Sequence, residues 1–72
     1  MTHLREGAEI LVDANQWGED GYRVRDNKIM SYFVDRKDPQ CGEGKGMTLE
    51  EFLKRTDVDI RIKEWAKSIV IE

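Results

Sequence analysis

The chain predicts an α+β fold: a three-stranded antiparallel meander over about 8–14, 22–26 and 28–34, packed by C-terminal helices. Three observations carry this reading. Residues 28–34 hold five large apolar side chains among seven, flanked by turn-forming Asp and Asn, which suits a strand better than a helix. Two shorter runs upstream are β-branched or alternating and bounded by Gly, Asn and Asp. Downstream, the residues after 47 open with a full helix-start signal.

The first strand is expected at 8–14, where Ile10, Leu11 and Val12 sit between charges. Ile10 and Val12 then share one face, and Leu11 shares the more solvated face with Glu9 and Asp13. Residues 15–21 are rich in turn formers, with Gly18 and Gly21 enclosing Glu19-Asp20, and read as a hairpin loop. Tyr22-Arg23-Val24-Arg25 alternates apolar and basic, as a half-buried strand does. Asp26-Asn27 is the next reversal, because both residues tolerate the left-handed conformation.

The central strand, 28–34, places Ile29, Ser31 and Phe33 on one face and Met30, Tyr32 and Val34 on the other. Both faces are mostly apolar and both call for cover. Residues 35–46 have no periodicity and contain three glycines and the only proline; they read as a flexible Gly-rich loop.

Thr48 and Glu51 fit a capping box, and Met47 with Phe52 fits a hydrophobic staple. Glu50 with Lys54 and Glu51 with Arg55 are spaced for ion pairs in the favoured order. Leu49, Phe52 and Leu53 share one face, so a helix is expected over 48–55. The tail admits two readings. Val58, Ile60 and Ile62 alternate with charges like a strand, whereas Val58, Ile62, Trp65, Ala66, Ile69 and Val70 recur at helical spacing. The helical reading, about 57–67 with Thr56 or Asp57 as cap, accounts for Trp65 and Ala66 and is preferred. A short closing strand at 68–71 would pair with 28–34.

One domain is the natural count for 72 residues, and a domain this small has a thin core. Cys41 is the only cysteine, so the chain has no internal disulfide. With His3 it offers too few soft ligands for zinc. No metal or cofactor is expected. The net charge of −3 disfavours bulk attraction to nucleic acid or anionic lipid. No run reaches the length of a membrane span, and the first residues lack the apolar core of a signal peptide. A cytoplasmic protein with a reduced thiol is the expectation.

No catalytic constellation emerges, and a non-catalytic protein is expected. Gly42, Gly44 and Gly46 precede a helix start, but Gly46 and Met47 separate Lys45 from Thr48, unlike a phosphate-binding loop. Glu50 and Glu51 would also repel an anion there. Nothing in the spacing joins Cys41 to His3 as nucleophile and base. Asp35, Asp38 and Glu43 read as solvated charge.

What remains is a surface. Trp17, Arg23, Arg25, Met30, Tyr32 and Val34 gather the residue types that interfaces favour. They point to a protein-binding module, an adaptor or inhibitor, with a second copy of the chain as one candidate partner. The alternative is nucleic-acid binding through Arg23, Arg25 and Lys28 with nearby aromatics. Against it stand the negative charge and Tyr22 lying on the face opposite the arginines.

Overall fold

The computed structural model describes residues 3–37 and 41–71. Its element order is β1 (His3–Leu4), β2 (Glu9–Ala14), β3 (Gly18–Arg25), β4 (Lys28–Asp35), β5 (Cys41–Glu43), α1 (Leu49–Leu53), α2 (Ile60–Ser68) and β6 (Val70–Ile71). The architecture is α+β. The antiparallel sheet runs β2-β3-β4-β5, and β1 with β6 forms a separate two-stranded clasp.

The hairpin of β3 and β4 is the spine. Its register is unbroken from Gly18↔Asp35 to Arg25↔Lys28. Asp26 and Asn27 close it with φ of 54° and 62°. Positive φ at both central residues is the turn whose twist matches the paired strands. On the other side of β3, β2 is in register at Glu9↔Arg23, Ile10↔Tyr22 and Leu11↔Gly21, then shifts so that Asp13 meets Asp20. The irregularity falls at Val12, and such a bulge bends and blunts an edge strand.

Strand pairing and alternation sort the sheet into two faces. Ile10, Tyr22, Val24, Ile29, Ser31 and Phe33 share one; Leu11, Arg23, Arg25, Met30, Tyr32 and Val34 share the other. The helices pack on the first face only. Leu4, Val24, Ile29, Phe52, Ile62, Ala66 and Ile69 are buried together, with Ile10, Tyr22, Met47 and Trp65 against their rim. Tyr22 meets Phe52 edge to face at 5.1 Å between ring centroids.

This core covers only part of the spine. An eight-residue antiparallel strand is about 27 Å long, whereas α1 and α2 span about 7 and 13 Å. The molecule is accordingly elongated, 40 × 23 × 17 Å, with a radius of gyration of 12.4 Å against about 11 Å for a compact chain of this size. We call the half of the sheet around Val24 and Ile29 proximal and the half around Gly18 and Phe33 distal.

Helix α1 forms where the capping box places it. Glu51 N–H donates to Thr48 Oγ1 (3.2 Å), and Thr48 N–H donates to Glu51 Oε1 (3.2 Å). The Thr48 N–H, and then the Thr48 hydroxyl donating to the same Glu51 oxygen at 3.0 Å, hold the Glu51 carboxyl below its ordinary range. Arg55 turns away from the helix to Asp57, which accepts from its Nε at 2.9 Å, in place of the expected pairing with Glu51. The Asp57 carboxyl is lowered and the Arg55 guanidinium raised, each mainly by this hydrogen bond. The second helix begins at Ile60, with Asp59 as its cap, so the strand reading of the tail is set aside.

Asp59, not Thr56 or Asp57, caps the second helix, and four further sequence expectations change. Gly18 to Gly21 belong to β3 rather than to a hairpin loop; the turn lies at residues 15–17, where the Asn15 side chain accepts from the N–H of Trp17 and of Gly18. The segment read as a loop carries a fourth strand, Cys41–Glu43, on the free edge of β4. Residues 38–40 of that segment, Asp38 among them, lie outside the described residues, as does the Cys41 side chain. The closing strand pairs with His3–Leu4 and not with 28–34, because 41–43 and Met47 already occupy that edge. Finally, among the described residues no second layer covers Met30, Tyr32 and Val34. They are half-buried by their own neighbours in the sheet.

Candidate functional site: the uncovered sheet

Five of the six residues singled out from sequence lie together on the face away from the helices. Arg23, Arg25, Met30, Tyr32 and Val34 share it by register, and Leu11 joins them opposite Gly21. Trp17 sits apart, in the turn at the distal end, 63% exposed.

The open face is organised by Arg23 and Tyr32. The Arg23 guanidinium lies 4.4 Å from the Tyr32 ring centroid and its Nη2 is 3.2 Å from Glu9 Oε2. Stacking a cation on a ring shields the ring from water while the carboxylate balances the charge. The Tyr32 phenol is held above the ordinary 10.0, first by burial and then by Glu9, with Arg23 acting in the opposite sense. On its other side the ring crosses Gly21: a Cβ there would strike Tyr32 Cε1 and Oη and the Ile10 carbonyl. Glycine is therefore required in mid-strand, because the aromatic ring occupies the space a side chain would fill. Arg25 reaches Glu43 on β5, 2.6 Å away.

These ion pairs decide what the face can do. Both arginines of the basic strip already have carboxylate partners, Glu9 and Glu43. Phosphate contact through either arginine would first exchange its surface ion pair. Leu11, Met30, Tyr32 and Val34 make the middle of this face weakly polar, with charged side chains around them.

The helix-side face is also bare beyond Tyr22. Phe33 crosses Gly18 much as Tyr32 crosses Gly21, yet it remains 41% exposed. Val12, at the irregularity of β2, is exposed as well. Of the six exposed large apolar residues among those described, four (Leu11, Val12, Trp17 and Phe33) lie in the distal half. Between that bare end and the core is a surface cavity of about 130 Å³ lined by Val12, Asp20, Gly21, Tyr22, Ser31 and Tyr32. Sequence reasoning missed Leu11, Val12, Phe33 and Asp20. Alternation had placed Phe33 beside Ile29, but not where the helix cover stops.

The other sequence candidates do not converge. His3 lies in the clasp opposite Ile71, while the Cys41 backbone pairs with Val34 in the main sheet. Among the described residues, no three His, Cys, Asp or Glu side chains cluster to hold a metal, and no helix is long and apolar enough to cross a membrane. No protein-family model, curated protein or solved structure matches the chain.

Proposed function

We propose that the chain is a small protein-binding module, an adaptor or inhibitor, that docks a protein partner on the distal half of its sheet. The observation that carries this reading is that exposed Leu11, Val12, Trp17 and Phe33 gather at the distal end of the sheet, Leu11 on the open face and Phe33 on the helix-side face, so that a partner would grip that end from both sides. Apolar side chains gathered on one exposed region mark a binding surface more often than scattered ones do. Half-buried Met30, Tyr32 and Val34 continue the patch on Leu11's face, where the Arg23 guanidinium stacks on the Tyr32 ring. Binding through such a surface needs no catalytic group and no cofactor. A cytoplasmic location and a second copy of the chain as partner belong to the same proposal.

The test compares capture of partners from a host-cell extract by the full chain and by a Trp17→Ser, Phe33→Ser variant with an unchanged circular dichroism spectrum. A protein held by the first and released by the second supports the proposal. Equal capture by both removes the distal surface as the docking site. Sedimentation equilibrium tests the second-copy form: a monomer at all concentrations rules it out.

A further inference from the structure

We propose that Trp17 is the anchor of the docking surface, an indole that enters an apolar slot of the protein partner, and that Arg36 is the positioning residue that holds it ready. The inference rests on the docking reading above and names the contact that carries it. Trp17 is 63% exposed in the turn between β2 and β3. It belongs neither to the buried core nor to its rim, whereas Trp65 packs against that core. An exposed turn tip is ordinarily mobile, yet this one is fastened around the indole. Trp17 N–H donates to Asn15 Oδ1 at 2.8 Å, and the Trp17 carbonyl accepts from the Arg36 N–H at 3.1 Å. Gly18 N–H donates to the same Asn15 oxygen at 3.1 Å, and Asn15 N–H donates to the Gly18 carbonyl at 2.9 Å. Arg36 closes the turn from the end of β4. Its Nε donates to the Asn15 carbonyl at 2.7 Å, and its Nη2 lies 3.5 Å from Glu19 Oε1. Arg36 thus holds Asn15 by its side chain and Trp17 by its backbone. With the peptide groups on both sides of the Trp17 Cα engaged, the direction of the side chain is set before any partner arrives. Tryptophan is prominent among the residues that dominate interface energies. A ring on an ordered backbone has only two side-chain torsions left to fix on binding, so little entropy is lost there.

The test compares the full wild-type chain with Trp17→Ser, Arg36→Ala and the double variant. Nitrogen-15 relaxation of the free chain should give order parameters of about 0.85 at the Trp17 and Gly18 amides in the wild type, and below about 0.6 in Arg36→Ala. Arg36→Lys should loosen the turn as well, because a single ammonium does not reproduce the guanidinium fork. Affinity is then measured for the purified protein that the wild type captures. Trp17→Ser should weaken it at least about thirtyfold, and Arg36→Ala about three- to tenfold. The double variant should bind no more weakly than Trp17→Ser alone, because a residue that acts through another adds nothing once the other is gone. A turn mobile in the wild type, or equally rigid in Arg36→Ala, would overturn the inference and leave the docking reading intact. So would an Arg36→Ala loss that persists undiminished in the Trp17→Ser background, or a partner released by Phe33→Ser and bound normally by Trp17→Ser. A partner held equally by the Trp17→Ser, Phe33→Ser variant, or no captured protein at all, would remove the docking reading and this inference with it.

Discussion

The proximal and distal halves of the β3–β4 ladder share one backbone register and differ in what rests on it. Proximally, Val24 and Ile29 face each other beneath Phe52, Ile62 and Ala66, and Ile29 is wholly buried. Distally, Asp20 faces Phe33 and Gly18 faces Asp35 with no helix above them. A two-stranded ribbon without a packed face is marginal in water. The distal half manages without helical cover because β2 and β5 flank it and because Phe33 and Tyr32 lie over Gly18 and Gly21. Rings over glycines replace a core with local contacts that leave Phe33 exposed and Tyr32 partly so. Stability is thus concentrated at one end, and the surface available for binding at the other, as regions that engage ligands are commonly drawn from the less stable parts of a fold.

The largest effect should come from Phe52→Ala, which removes a fully buried ring and should cost about 3–5 kcal/mol. Phe33→Ala should cost about 1 kcal/mol. Urea denaturation midpoints measure both, and equal losses would erase the distinction between the halves. Next come the glycines. Gly21→Ala should cost about 1–3 kcal/mol because its Cβ would strike the Ile10 carbonyl and the Tyr32 ring. Gly42→Ala, where a Cβ meets nothing within 4 Å, should stay within about 0.5 kcal/mol. Thr48→Ala removes the α1 cap and should cost about 1 kcal/mol. By hydrogen exchange, that loss should loosen the Ile29 amide more than that of Phe33.

The smallest effect is a pH dependence. The Glu51 carboxyl is lowered in the folded chain, mainly by the Thr48 N–H and then by the Thr48 hydroxyl. A depressed carboxyl stabilises the fold above its unfolded value, and that contribution is lost as pH falls through the folded value. The Thr48 amide shift should therefore titrate with a midpoint below the ordinary 4.5, and Glu51→Gln should remove the transition. A midpoint at or above 4.5 would contradict the capping geometry.

Elements closed by near neighbours were legible in the sequence. The capping box needs only residues three apart, and Asp26-Asn27 carries its own left-handed preference. Alternation alone put Arg23 with Arg25, and Met30 with Tyr32 and Val34; the β3–β4 register then brings the two sets onto one face. What escaped depends on distant partners. Gly18 and Gly21 look like loop residues until Phe33 and Tyr32 are seen across them. The strand at 41–43 has no periodicity and exists because β4 has a free edge. The pairing of Arg23 with Glu9 joins residues that only the β2 register brings together. The limit of helix cover, which defines the candidate surface, follows from three-dimensional lengths that no local pattern encodes.

The clasp has a consequence for protein engineering. His3 and Leu4 lie beside Ile71 and Val70, and Arg5 N–H donates to the Ile69 carbonyl at 2.9 Å, so the backbone nearly closes into a ring. Joining residues 3 and 71 through a short glycine bridge and opening the chain between Arg36 and Lys37 should give a circular permutant that keeps the helical body. Its new ends would emerge beside Trp17, whose carbonyl accepts from the Arg36 N–H. A reporter group could then be attached next to the proposed docking surface without passing through the core.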